Sequence, residues 1–261
     1  MTLHGKVAVV TGAASGMGRA LCRELAREGV RLGVLDRNAE GLASLQEELR
    51  KKGTSCCLAV ADVSDRQAVR SAFCAFVTEL GPVDLLVACA GITGATFVND
   101  LAVEQMEAIL RINVLGVVYA LEAVLPDMLA RQSGHIVALS SLAGCRGMPF
   151  SAAYSASKAA LMTYLESLRP SLRRRGIAVT TVLPGFVRTP LMINAPVQPP
   201  MSMMEPELAA RHILHAIRRR CRVYAFPWST SLLLRVLRWL PPWLYDWCMA
   251  RGAAHVPNVT Y

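Results

Sequence analysis

The feature that most constrains this chain is a repeated alternation of short, continuously apolar runs with helical stretches. Strands are expected at residues 6–10, 31–35, 55–60, 84–89, 135–140 and 177–183, with helices between them at 18–28, 39–52, 66–80, 103–128 (interrupted near Pro126) and 151–174. In the first helix Ala20, Leu21, Leu25 and Ala26 share one face, the period of a helix laid on a core. The apolar runs do not alternate with polar residues, which marks strands covered on both faces. Such units, joined by right-handed crossovers, build a doubly wound parallel α/β sheet with helices on both faces. At 261 residues, 53% hydrophobic and 18% charged, the chain suits one large domain and lies far from a disordered composition.

The character changes after Pro184. Residues 190–206 hold four Met and five Pro and read as an apolar loop. A helix is expected at 207–220, and the stretch 223–261 holds all four Trp and a Pro241-Pro242 break.

The first strand runs into Thr11-Gly12-Ala13-Ala14-Ser15-Gly16-Met17-Gly18, where the first helix opens. A pyrophosphate binds to unpaired backbone N–H groups at the positive end of a helix, and side chains there would block its approach. Gly12 allows the tight turn, Gly16 the close backbone contact and Gly18 the helix packing. The spacing is GxxxGxG rather than GxGxxG, so its position after the first strand carries the argument. Asp36 ends the second strand about 20 residues on, where an acid accepts hydrogen bonds from ribose hydroxyls and repels a 2′-phosphate. NAD is therefore favoured over NADP, although Arg37 partly offsets the repulsion. Asp62 and Val63, after the third strand, are placed to meet the adenine edge.

Tyr154 and Lys158 lie four apart in a predicted helix and so project from one face. A neighbouring ammonium favours the phenolate and lowers a tyrosine's pKa from its usual value of about 10. Such a Tyr can give a proton to a carbonyl oxygen or take one from an alcohol. Ser141 follows the fifth strand at the carboxyl end of the sheet, where its hydroxyl can hydrogen-bond a developing oxyanion.

Together these residues resemble the short-chain dehydrogenases/reductases. TGAASGMG, Asn113-Val114-Leu115-Gly116, Ser140-Ser141, Tyr154-Ser155-Ala156-Ser157-Lys158 and Pro184-Gly185 stand in that family's order and spacing over residues 5 to about 220. The resemblance implies a single Rossmann-like domain with a seven-stranded parallel sheet, spanning residues 1–222, followed by a hydrophobic, basic tail at 223–261. It implies a catalytic tetrad of Asn113, Ser141, Tyr154 and Lys158. Tyr154 would be the acid/base, Ser141 would position the substrate oxygen, Lys158 would bind ribose and tune Tyr154, and Asn113 would hold a water linking Lys158 to solvent. Ser141, not Ser140, has the family spacing. It places Thr11, Gly12, Ser15, Gly16, Met17, Gly18, Ala90, Gly91, Pro184, Gly185, Val187 and Thr189 around the cofactor. Two departures stand out. Ala88-Cys89-Ala90-Gly91 replaces the family's Asn-Asn-Ala-Gly, which is expected to weaken local order, and Pro170 is expected to kink or shorten the long helix.

The residues expected to border the substrate, Ile92, Leu142, Ala143, Met148, Phe186, Leu191 and Met192, are nearly all apolar, and Met201, Met203 and Met204 of the 190–206 loop add adaptable thioethers. They suit a hydrophobic alcohol or ketone of lipid, steroid or retinoid type. The formal net charge is +9, and from Glu205 onward eight Arg face three acids, interleaved in the tail with Leu and Trp. That pattern suits peripheral contact with a membrane interface; a subunit contact or an active-site lid would use the same residues. No nucleic-acid reader motif appears. The eight Cys show no metal spacing, no metal is expected, and no signal peptide opens the chain, which points to the cytoplasm. A homodimer or homotetramer is implied by the resemblance alone. A hydrolase built on Ser141 would need a G-x-S-x-G elbow, which is absent. A nucleotide-sensing scaffold on the same fold would have no need of the Tyr–Lys pair. An NADP-dependent carbonyl reductase would keep that pair and differ at the ribose end of the cofactor site.

Overall fold

The computed structural model describes residues 2–193, 203–228, 232 and 239–253. The described residues form one seven-stranded parallel sheet: β1 (Val7–Thr11), β2 (Arg31–Asp36), β3 (Cys56–Val60), β4 (Leu85–Ala88), β5 (Gly134–Leu139), β6 (Ile177–Pro184) and β7 (Val223–Phe226), in the order β3-β2-β1-β4-β5-β6-β7. β1, β4 and β5 are buried along their whole length, while the edge strands β3 and β7 are partly exposed. Central strands are thus sandwiched between helices, as their unbroken apolar runs require.

One face carries α1 (Gly16–Arg27), α2 (Ala39–Lys51) and α8 (Pro206–Arg219), packed on Val10, Val34 and Val137. The other carries α3 (Arg66–Leu80), α5 (Gly116–Arg131) and α6 (Ala152–Arg174), packed on Val9, Leu86 and Ile136. Shorter helices are α4 (Val103–Leu110), α7 (Pro190–Ile193) and α9 (Pro242–Ala253). β1 sends its crossovers toward β2 on one side, and β4 continues on the other. The strand order therefore reverses between β1 and β4, and a crevice opens beyond their carboxyl ends.

Several sequence expectations need correction. Residues 223–226, assigned to the tail, pair with β6 as β7, so the domain extends past residue 222. A four-residue, half-exposed edge strand has too few apolar positions to stand out from the aromatic stretch that follows it. The helical region beginning at Val103 is broken by a π-helical turn, Arg111–Leu115, and not at Pro126. α6 likewise runs through Pro170 to Arg174 without being shortened. Pro126 and Pro170 are both exposed, as are Glu122 and Glu166 four residues before them, so water can take the carbonyls whose helical partner is lost. The run Val103–Arg131 is long and apolar enough to cross a membrane, yet Val117, Leu121, Val124 and Met128 are spent in the core. Met201 and most of the Leu/Arg run at 231–240 lie outside the described residues.

His135, the second residue of β5, has no solvent exposure. Its Nε2 meets Thr180 Oγ1 at 2.8 Å, while Nδ1 has no partner among the described residues. Burial, and secondarily Arg220, pulls its pKa down to about 3. The folded state keeps His135 neutral where the unfolded chain takes up a proton, so stability must fall as pH drops from about 6.5 towards 3. At pH 5 the loss is expected to be about 2 kcal/mol, checked by urea unfolding of wild type and His135→Gln, the variant losing less stability between pH 7 and 5.

Candidate active site

The turn after β1 lies in the crevice. Gly12 has φ +69°, and a Cβ there would sit 2.7 Å from Ala90 of the loop after β4. A Cβ at Gly18 would be driven into the Gly12 carbonyl. The turn therefore exists only without side chains, which leaves backbone N–H groups at the start of α1 facing open space. Ser15 is the N-cap and makes no side-chain cap bond. The loss of the family's Asn at Ala88 does not leave β1 and β4 untied. Thr11 Oγ1 accepts hydrogen bonds from Cys89 N at 3.2 Å and Ala90 N at 3.3 Å.

A groove of about 470 Å³ follows the carboxyl ends of the strands, within the range of small-molecule sites. Gly12, Ser15, Gly16, Met17, Gly18, Asp36, Asp62, Val63, Ala90, Gly91, Tyr154, Lys158 and Thr189, all singled out in the sequence, line it together. Asp36 accepts from Ala14 N and Asn38 N, each at 3.0 Å, so one carboxylate braces the glycine turn and closes the far end of the groove. Asp62 accepts from Ser64 N at 2.8 Å and Ser64 Oγ at 2.7 Å. Burial pushes its pKa up, but these bonds and Arg37 outweigh it and the net shift is downward.

At the other end the π-helical turn aims Asn113 inward. Its Oδ1 accepts from Ile92 N at 2.9 Å, and its Nδ2 donates to Ile92 O and Ser157 Oγ, each at 3.0 Å. The side chain thus clamps the loop after β4 to α6. Ser141 caps the 3-10 turn Leu142–Gly144, its Oγ accepting from Ala143 N at 3.1 Å, which leaves its hydroxyl hydrogen for the Tyr154 phenol. Ser140 is structural, its Oγ donating to Lys158 O at 2.8 Å. Lys158 Nζ donates to Leu139 O at 2.9 Å and lies 5.7 Å from the Tyr154 ring centre. Burial lowers its pKa to about 8. Burial raises the Tyr154 pKa, opposed by the Ser141 hydrogen bond. The expected lowering by Lys158 does not emerge, because its amine is turned to the Leu139 carbonyl and desolvation of the phenol outweighs it.

Over residues 6–199 the chain matches the family model for short chain dehydrogenases. It belongs to that family. An uncharacterized oxidoreductase of Myxococcus xanthus is 40% identical over 92% of this chain and 95% of that protein. A short-chain dehydrogenase/reductase from Burkholderia phymatum in complex with NAD superposes with a TM-score of 0.83 at 27% identity, covering 90% of this chain and 93% of that one. An alcohol dehydrogenase from Thermococcus sibiricus, complexed with 5-hydroxy-NADP, superposes with a TM-score of 0.77 at 26% identity over 85% of this chain and 94% of that one. This short-chain dehydrogenase/reductase is an oxidoreductase of the class that acts on CH–OH and carbonyl groups.

Of the remaining predicted positions of this dehydrogenase, Ile92 and Leu191 line the groove, whereas Ser141, Leu142, Ala143, Met148, Pro184, Gly185, Phe186, Val187 and Met192 are not among its lining residues. Gly185 N donates to Phe226 O at 2.7 Å, so β7, missed in the sequence, holds the segment after β6. Phe186 O accepts from Met204 N at 2.9 Å, and Arg188 N donates to Met204 O at 2.8 Å. These bonds, with the Val187–Met204 bridge, pin the far end of the apolar loop. Leu191 lines the groove, and Met192 N donates to Thr189 O at 2.9 Å. Leu142 packs with Leu183, Met148 and Met162. Pro184 ends β6 and is buried, while Ala143 enters through its backbone bond to Ser141. Ala61, Thr93, Ile112 and Pro190 also line the groove and were missed. Each adjoins a predicted residue, but its direction depends on loop geometry that spacing does not encode. Cys89 lines it as well. Burial raises that thiol to about 12 against the pull of Lys158, so it is a neutral wall.

Replacing Asn113 with Ala would orphan both polar groups of Ile92. The expected cost is about 3 kcal/mol, read as a lower urea midpoint with an unchanged m-value.

Proposed function

We propose that this protein is an NAD-dependent dehydrogenase/reductase of hydrophobic secondary alcohols or ketones, with Asn113, Ser141, Tyr154 and Lys158 as its working tetrad. The observation that carries the reading is the convergence of Tyr154, Lys158 and the glycine turn on one groove. The fit to a dinucleotide rests on that turn, which a Cβ at Gly12 or Gly18 would fill, and on the carboxylate of Asp36 at the groove's far end. Gly12 to Gly18 would take the pyrophosphate, Asp36 the adenosine ribose, Asp62 and Val63 the adenine edge, and Thr189 with the 184–187 segment the nicotinamide. When bound, the nicotinamide supplies two-electron hydride exchange.

The chain's own residues handle the proton. Ser141 Oγ and Tyr154 Oη hydrogen-bond the substrate oxygen, and Tyr154 donates its proton as a carbonyl becomes an alcohol, or accepts it in reverse. Lys158, fixed on Leu139 O, would bind the ribose hydroxyls. Asn113 holds the wall behind it by clamping Ile92. Asp36 supports NAD over NADP because a 2′-phosphate would meet its carboxylate. The apolar character of Ile92, Leu142, Met148, Leu191 and Met192 supports a hydrophobic substrate. The reading also takes the protein as a cytoplasmic homodimer or homotetramer, with peripheral membrane contact through the tail, which the exposure of its tryptophans favours.

Tyr154→Phe is expected to lower turnover about 1,000-fold, measured with NAD and secondary alcohols of increasing chain length. Full activity in that variant would overturn the assignment. Because burial favours the protonated Tyr154, carbonyl reduction should run well near neutrality and alcohol oxidation should climb as pH rises, as rate profiles in both directions would show. Asp36→Ala should weaken NAD about tenfold, the value of a lost charged hydrogen bond, and tighten NADP, both read by titration calorimetry.

A further inference from the structure

All four tryptophans of the chain lie outside its core. Trp228, Trp239, Trp243 and Trp247 are 78%, 86%, 70% and 53% exposed. In α9, Trp243, Trp247 and Arg251 recur every four residues and share the outer face, with the Arg251 guanidinium 3.9 Å from the Trp247 ring centre. The inner face is also apolar. Tyr245 is 8% exposed, and its hydroxyl donates to Gly147 O. Arg146 Nη1 donates to Leu240 O at 2.9 Å, and its guanidinium covers the Tyr245 ring at 3.8 Å. Arg146 and Gly147 belong to the segment that joins Ser141 to Tyr154, and the next residue, Met148, donates its N–H to Ser155 Oγ at 3.3 Å.

We propose that α9 is a two-faced coupling helix. Its outer face lies on an anionic lipid surface, and its inner face latches the wall between Ser141 and Tyr154, so that lipid docking stiffens the substrate side of the active site. This rests on the membrane contact of the tail proposed above. Indole rings suit the headgroup level of a bilayer, apolar on one side and wet at the N–H. Twelve residues make a helix about 18 Å long, too short for a hydrocarbon core of about 30 Å, so the helix lies on the surface. From Pro227 onward the sequence carries three Arg against the single acid Asp246. A two-fold contact between copies would bring two net-positive tails together, whereas an anionic lipid surface complements their net charge. Tyr245 and Arg146 are positioning residues in this scheme. They touch the segment that carries the substrate wall, not the reacting atoms.

Because every tryptophan lies at or beyond Trp228, the emission of the full-length protein reports on the tail alone. With phosphatidylcholine vesicles containing about one third phosphatidylglycerol, the emission is expected to shift to the blue, with no shift on phosphatidylcholine alone and none for the Trp243→Ser, Trp247→Ser double variant. The absence of a shift on the anionic vesicles overturns the proposal together with the membrane reading. So does emission that is already blue and shielded from acrylamide without lipid, which identifies a second copy on this face. The latch is read separately by amide hydrogen exchange. The same anionic vesicles should slow exchange across residues 142–150 about fivefold, the size of one added hydrogen bond. Tyr245→Phe should still shift its emission on those vesicles while losing the slowing. Wild type that shifts its emission without any change at 142–150 overturns the latch and leaves the membrane contact standing.

Discussion

The site depends on a close approach of two backbones. Where β1 ends, Gly12 comes so near to Ala90 that a single methyl would not fit, and Thr11 Oγ1 ties the two loops together through Cys89 N and Ala90 N. This contact lies where the strand order reverses, and it is the floor of the groove. If it opens, the glycine turn loses its shape, and the loop that Asn113 clamps loses its anchor. The open N-terminus of α1 and the inward-facing polar cluster are then both lost. The hydroxyl of Thr11 supplies the tie that an asparagine at Ala88 would otherwise make, so one substitution in the pattern is offset by a neighbour across the sheet.

Around that floor the charges are handled by burial and backbone bonding rather than by ion pairs. Lys158 is buried on a carbonyl and pulled down to about 8. Tyr154, partly buried beside it, is shifted upward by desolvation. Two groups whose ordinary values lie close together are therefore moved in opposite directions, by the same desolvation acting on a cation and on an acid. The ammonium becomes easier to deprotonate and the phenol harder, which sets the resting state as a proton donor facing the groove. Ser141 works against this trend on Tyr154 because its hydroxyl hydrogen is released by the Ala143 N–H, which occupies the oxygen.

The C-terminal elements tie the periphery to this centre. β7 holds the segment after β6 through Phe226 O and Gly185 N, and α9 grips the Arg146-Gly147 stretch between Ser141 and Tyr154. α9 therefore carries exposed tryptophans on one face and, on the other, contacts the segment that joins Ser141 to Tyr154.

Much of this was legible before any coordinates. The unbroken apolar runs announced strands covered on both faces, Gly12, Gly16 and Gly18 a backbone-lined turn, and the spacing of Tyr154 and Lys158 a shared helix face, because each is a local property of backbone geometry or period. Asp36 was readable because a strand end places it. What the chain order could not reveal was set by contacts between distant segments. The π-helical turn that aims Asn113 at Ile92, the survival of α6 past Pro170, and the strand at Val223–Phe226 depend on which surfaces meet which neighbours and which carbonyls face water. The direction of the Tyr154 shift belongs to that second group. Spacing shows that an amine is near a phenol, but only the packed interior determines whether the nearby charge or the loss of water prevails.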